Sequence, residues 1–202
     1  MNEKDLQKIK KITTRQAEEA VELLIKYLGE DPNREGLKDT PRRVVAALKE
    51  MTSGYAMEND SAAMEKLARS FTKEKYDEIV MLKDISFVSI CEHHLMPFWG
   101  KIDIGYLPRN KVIGASKMVR IVQMYARRLQ IQERLTTQIA YCLHNMIKPL
   151  GVGVIARAYH SCISGRGVRQ SQSILTTSCM LGVFRTKTKA RAEFMELTKR
   201  GA

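Results

Sequence analysis

The feature that most constrains this chain is a change of hydrophobic period. Up to about Tyr76 apolar residues recur at helical spacing, and beyond it they alternate. Ile85, Phe87, Ser89 and Cys91 fall on one side, and Ser86, Val88 and Ile90 on the other. A period of two marks a half-buried strand ending at Cys91. Phe98 to Leu107 reads as its antiparallel return, with Pro108-Arg109-Asn110 as the turn that follows. Ser116 is placed to cap a helix running to about Arg128. Ile131-Gln132-Glu133 leads into another, whose apolar face is Leu135, Ile139, Cys142, Leu143, Met146 and Ile147. Gly151 to Cys162 and Ser173 to Met180 supply two more strands, and Lys187 to Arg200 a last helix. The expected fold class is α+β: an N-terminal helical layer, then a ββααββ domain with an antiparallel sheet. Its uncovered edges call for pairing with further copies of the chain.

The helical layer is expected over 1–75 and the sheet domain over 76–202. Thr13 or Thr14 caps a helix with an apolar face of Ala17, Val21, Leu24, Ile25 and Leu28, stopped by Gly29. Thr40 caps a second, with Pro41 at its first helical position. A third, shorter helix is expected from Ser61 to Phe71. There is no internal repeat and no low-complexity linker.

Charge narrows the class of ligand. Lys and Arg total 34 against 22 Asp and Glu, a net charge of +12. From Ile104 to Ala192 there are 15 basic residues and one carboxylate, Glu133. A ligand with an anionic tail and a hydrogen-bond-donating head explains a solitary acid in a basic field better than a nucleic-acid backbone does. No apolar run approaches the roughly 20 residues needed to cross a bilayer, and the charged N-terminus lacks the pattern of a secretory leader, so the expected location is the cytoplasm. In that compartment the four cysteines are core thiols or metal ligands rather than disulfides.

Cys91-Glu92-His93-His94 follows the end of a strand. Cys91 and His94 have the spacing of a two-ligand zinc hook. If the strand from Gly151 continues to Cys162, its period puts His160 and Cys162 on one side, and Cys162 completes a set of three. Three protein ligands leave a fourth tetrahedral position open, the pattern of a catalytic site. A lone cysteine or histidine is more often a buried thiol or a surface ring; the clustering of three of the four histidines beside these cysteines favours zinc. Cys142 and Cys179 keep the core reading. Gly114-Ala115-Ser116-Lys117 suits an anion or is a capped helix start with solvated basic residues, and Gly165-Arg166-Gly167 is compatible with a tight turn and nothing more.

Taken together, CEHH at 91–94, GYLPRNKVIGASKMVR at 105–120, RRLQIQERLTTQIA at 127–140, HSC at 160–162, RGV at 166–168 and LGVF at 181–184 resemble GTP cyclohydrolase I; the likeness extends loosely to EGLKDTPRRV. It implies the tunnelling fold, with ββααββ units joined edge to edge into a homodecamer of two pentameric rings and active sites at subunit boundaries. It implies Zn2+ on Cys91, His94 and Cys162, acidifying a water for attack at C8 of guanine. His160 is implied as the proton donor to the imidazole nitrogen, His93 as a neighbour of the ribose, and Ser116 as an aid to the ribose rearrangement. Glu133 with Gln132 would anchor guanine, and Lys117, Arg120, Arg166 and Arg43 would hold the triphosphate. The implied product is 7,8-dihydroneopterin triphosphate with formate, the entry to tetrahydrofolate-type pterins. The implied partners are GTP and copies of the same chain, with no nucleic acid and no membrane.

Two departures from the family pattern stand out. Arg157 occupies a place where an acid is usual; its strand parity turns it away from His160, toward sheet packing or a subunit contact. Ser161, Ser164 and Gly165 stand where bulkier apolar residues are usual, which bears on the pocket's shape. A paralogue acting on another purine or pterin triphosphate, and a basic zinc protein that binds nucleic acid, are the competing readings. Aromatic residues at 6% and an open ligand set disfavour the second.

Overall fold

The computed structural model describes residues 12–60, 62, 65, 67, 69–71 and 76–199. The chain divides into two compact units, Met1–Glu50 and Met51–Ala202.

In the first unit, α1 (Thr14–Tyr27) opens on a reciprocal capping box: the Thr13 hydroxyl accepts from the Gln16 N–H, and the Gln16 side chain accepts from the Thr13 N–H. Two of the helix's unpaired donors are thereby satisfied, a contribution of about 1 kcal/mol. The chain leaves through Gly29 at φ 86°, a backbone region that favours glycine. Of the expected apolar face only Ile25 is buried; Leu24 and Leu28 are exposed. The next helix, α2 (Thr40–Met51), starts one residue earlier than expected, so Thr40 lies within it and Pro41 takes the second place. Proline is still tolerated there because the first four helical N–H groups have no internal acceptor. The helix expected from Ser61 to Phe71 falls largely outside the described residues.

The second unit contains α3 (Gly54–Asn59), β1 (Val80–Cys91), β2 (Pro97–Leu107), α4 (Ala115–Ala126), β3 (Leu129–Gln130), α5 (Gln132–Ile147), β4 (Gly151–His160), α6 (Ser161–Ser164), β5 (Leu175–Gly182), α7 (Val183–Thr186) and α8 (Thr188–Leu197). The expected ββααββ order is present. Sheet order is β3-β1-β2-β4-β5, antiparallel except where the two-residue β3 runs parallel to the end of β1. Register pairs Ser89 with Phe98 and Phe98 with His160, so the expected inward side of β1 shares one face with Phe98, Ile102, Ile104, Val154, Ala156 and Ala158. That face is buried with Met118, Ile121 and Val122 of α4 and Leu135, Ile139 and Leu143 of α5 in one apolar core. Ile90 breaks the alternation and is buried on the opposite parity, where β3 pairs with it.

Among the described residues the opposite face is covered at one end only. Phe184 and Phe194, from α7 and α8, pack there with Ile155 and Met180. Phe194 lies over glycines: a Cβ on Gly153 would come within 2.5 Å of its ring. Small residues in β2 and β4 thus make the seat for a large one.

Three expectations about boundaries change. Ser116 does not cap α4; Gly114 does, and Ser116 lies in the first turn. The strand expected from Gly151 to Cys162 ends at His160, and Cys162 belongs to the short helix α6. The strand expected over Ser173 to Met180 runs two residues further and is followed by α7, from which α8 is separate. No helix of the described residues is long and apolar enough to cross a membrane.

Candidate metal centre and active site

Cys91 is the last residue of β1, and the chain turns sharply after it. The Cys91 N–H donates to Met96 O and the Leu95 N–H to Cys91 O, with Leu95 at φ 53°. This turn folds His94 back, bringing its Nδ1 to 3.6 Å from Cys91 Sγ. Two ligands at the usual zinc–sulfur and zinc–nitrogen lengths, separated by the tetrahedral angle, lie about 3.6 Å apart. Cys162 arrives from across the sheet, and the donor atoms of Cys91, His94 and Cys162 all lie within 4.8 Å of one another.

What brings Cys162 there is the turn after β4. The Ser161 hydroxyl donates to Pro97 O at 2.5 Å and the Ser164 hydroxyl to His160 O at 3.2 Å. The serines that depart from the family pattern therefore bond the backbone that presents Cys162. Burial, and then the adjacent Cys91, push the Cys162 thiol up from its ordinary value. Two sulfurs this close do not readily ionise together without a cation between them. Two thiols and an imidazole suit zinc and disfavour calcium or magnesium, which take oxygen ligands.

His160 is the last residue of β4. It is buried, its ring stacks on Phe98 at 4.5 Å and 6°, and its Nε2 lies 2.9 Å from Gln132 Oε1. Burial lowers its pKa and the charge of Glu133 partly opposes that shift. Glu133 is exposed in the first turn of α5, one residue after the buried Gln132. His93 is exposed, its ring edge-on to His94 at 6.1 Å.

One clamp escaped the sequence reading. Arg134 grips Glu92 with two parallel hydrogen bonds, one of 2.9 Å from Nη2 to Oε1 and one from Nη1 to Oε2. The guanidinium holds the Glu92 carboxyl below its usual range. The clamp ties the turn carrying His93 and His94 to the first turn of α5, where Glu133 stands. Neither residue is remarkable in sequence, and they are 42 positions apart.

Arg166 is exposed just beyond α6, and its charge acts on Cys162. Ser116, Lys117 and Arg120 are elsewhere. They occupy the start of α4, which follows the other end of β2, and the Ile113 N–H just before it donates to the buried Tyr106 hydroxyl at 3.0 Å. From Phe98, beside His160, to Tyr106 is eight residues of strand, about 26 Å. Partial burial, then the charges of Arg69 and Arg120, lower the pKa of Lys117. Arg69, not anticipated, thus joins a cationic cluster at that far end. Arg43 lies on α2 in the first unit, bonded to Asp39 at 3.2 Å.

Arg157 donates to Asp103 Oδ2 at 2.6 Å, and Asp103 Oδ1 accepts the N–H of Asp84 at 2.8 Å. Asp84, at φ 57°, sits in the bulge that shifts the register of β1 between Leu82 and Ile85. The unusual arginine therefore braces the sheet from the face away from His160.

Fold and site together define an α+β protein whose sheet carries, at one end, three donors placed to hold a metal ion near a buried histidine. The GTP cyclohydrolase I family profile matches residues 17–199. The chain is 52% identical over 181 residues to GTP cyclohydrolase 1 of Synechococcus sp. (strain JA-3-3Ab), covering 89% of this chain and 77% of that one. It is 49% identical over 177 residues to GTP cyclohydrolase 1 of Methylococcus capsulatus (strain ATCC 33009 / NCIMB 11132 / Bath), covering 88% and 94%. For GTP cyclohydrolase 1 of Saccharomyces cerevisiae (strain ATCC 204508 / S288c) the identity is 48% over 181 residues, covering 90% and 73%. The chain belongs to the GTP cyclohydrolase I family.

Proposed function

We propose that this chain hydrolyses GTP, opening the imidazole ring of the purine, releasing C8 as formate and rearranging the rest to 7,8-dihydroneopterin triphosphate, the first step toward tetrahydrofolate-type pterins. The observation that supports this reading most directly is the meeting of Cys91, His94 and Cys162, beside His160 and Glu133, at one end of the sheet in a member of this family.

Cys91, His94 and Cys162 would hold zinc, which when bound supplies the Lewis acidity that lets a water attack C8 at neutral pH. Glu133 is suited to guanine because one carboxylate accepts from N1–H and the 2-amino group together. His160 moves a proton at the imidazole nitrogen of the purine: burial favours its neutral form, and the Phe98 stack fixes its plane. His93 is assigned a place near the ribose, and Ser116 a part in its rearrangement. Lys117, Arg120 and Arg166 are assigned to the triphosphate; for Arg43 the support is the sequence resemblance alone.

Assembly follows from the same assignment. Lys117 and Arg120 follow the far end of β2, which lies about 26 Å of strand from the end beside His160. A complete pocket therefore takes the metal end from one subunit and the cationic cluster from another. The outer edges of β1 and β5 are the strands through which copies would pair, in the homodecamer of two five-membered rings proposed for this chain. The proposed location is the cytoplasm.

The test is a bound-metal analysis of purified protein together with incubation with GTP. Zinc near one ion per chain, formate release and a fluorescent pterin after oxidation are expected. Formate-free binding of GTP would instead assign the chain to a paralogue with a different reaction.

A further inference from the structure

Gln132 is buried at 1% exposure, and every polar atom of its side chain is engaged inside the protein. Its Nε2 lies 3.1 Å from Ala156 O, 2.9 Å from Leu175 O and 3.1 Å from Thr177 Oγ1. Two of these partners are backbone carbonyls, which only accept. The nitrogen end of the amide must face them, since the flipped amide would set its oxygen against both. Oε1 consequently faces His160 Nε2 at 2.9 Å. A carbonyl oxygen cannot donate, so the hydrogen in that contact belongs to the histidine.

The surrounding hydroxyls agree with this direction. Thr136 Oγ1 is 2.8 Å from Gln132 O and 2.6 Å from Thr177 Oγ1. If Thr136 donates to Gln132 O, Thr177 donates to Thr136, and a lone pair of Thr177 accepts from Gln132. Each hydroxyl hydrogen then has its own acceptor, and the two hydrogens of Gln132 Nε2 serve three acceptors, one of them shared. Phe98 fixes the plane of the His160 ring and Gln132 its rotation within that plane. No hydrogen-bond partner among the described residues lies at Nδ1.

We infer that Gln132 is a positioning residue, not a guanine contact, and that its Oε1 holds the His160 ring hydrogen on Nε2, leaving Nδ1 as the ring nitrogen open to a substrate. This deepens the proposed role of His160 and rests on it. The geometry acts through β4 and β5: Ala156 and Leu175 hold Gln132, and Gln132 holds His160.

The first measurement needs no variant. In the zinc-loaded protein labelled with ¹⁵N-histidine, the signals of His160 are assigned by their loss in His160→Ala; the hydrogen is expected on Nε2, and finding it on Nδ1 overturns the inference. The second uses Gln132→Met, which keeps length and removes both polar ends. Zinc content and the Kd for GTP should stay within about threefold, kcat should fall roughly 10- to 1000-fold, and the His160 signals should report mixed tautomers. A Kd raised tenfold or more with kcat retained would instead make Gln132 a substrate contact and sink the inference. Should His160→Ala turn over like the native protein, the proton-transfer reading fails, while a hydrogen on Nε2 still upholds the lock.

Discussion

The two ends of β4 are built on opposite principles. At Gly151 and Gly153 the strand carries no side chain on one face, and Val183 and the ring of Phe194 fill the space over them, a dry contact that asks only for shape and apolar area. At Ala156 to His160 the strand enters a buried polar network in which an amide, two threonine hydroxyls, two backbone carbonyls and an imidazole each depend on the others' orientation. Apolar burial is non-directional and contributes stability; a buried polar network contributes little net stability but fixes one arrangement, and loses heavily when one member is removed. Damage at the first end should therefore appear as lost stability, and damage at the second as lost chemistry.

The sharpest break is expected at the metal end. Cys162→Ser should lower turnover of GTP more than about 1000-fold, because a three-ligand site has no spare donor and metal assistance supplies several kcal/mol of transition-state stabilisation. Its melting temperature should change far less than that of a core variant. Metal analysis alongside the turnover assay checks this, and full zinc occupancy in Cys162→Ser would remove that residue from the site.

Phe194→Ala tests the other end. Deleting a fully buried ring typically costs about 3–5 kcal/mol, and here the cavity would open over Gly105 and Gly153. Thermal or denaturant unfolding should register that loss, while zinc per folded chain stays unchanged. If zinc were lost in step with stability, the two ends would not be separable.

A smaller effect is expected of Glu133→Gln. The substitution preserves size but turns one acceptor into a donor facing the guanine N–H groups, at roughly 1–3 kcal/mol, so GTP binding should weaken about tenfold to a few hundredfold. Inorganic triphosphate should bind as before or slightly tighter, since a negative charge has left a basic surface. Equal, unchanged titrations with both ligands would show that Glu133 merely complements the start of α5.

How far the molecule could be read from its residues varied with the range of the forces involved. The alternation of Ile85, Phe87, Ser89 and Cys91 reports a local geometry, and β1 buries those four residues. The face of α5 was equally plain, because a helical stripe has one way to meet a sheet. Cys162 illustrates the limit. The structure does bring it to Cys91 and His94, but from a helical turn, since nothing in a period of two reveals that Ser161 bonds Pro97 and ends the strand. The Glu92–Arg134 clamp, the contribution of Arg69 and the Arg157–Asp103 pair are side-chain meetings across distant segments, and only the folded sheet makes them neighbours. Short elements such as α3 and β3 carry too few residues to show any period.

The distance between the cationic cluster at the start of α4 and the metal end of the same sheet has a genetic consequence. If each pocket draws its two halves from different subunits, a chain crippled at Cys162 and a chain crippled at Lys117 are each inactive alone yet carry complementary intact halves. Assembled together at random, they should regenerate about one native pocket in four, as a heterologous ring interface allows. Two dead alleles expressed in one cell would then support growth that neither supports singly, whereas a pocket contained within one chain would leave the pair as inactive as its members.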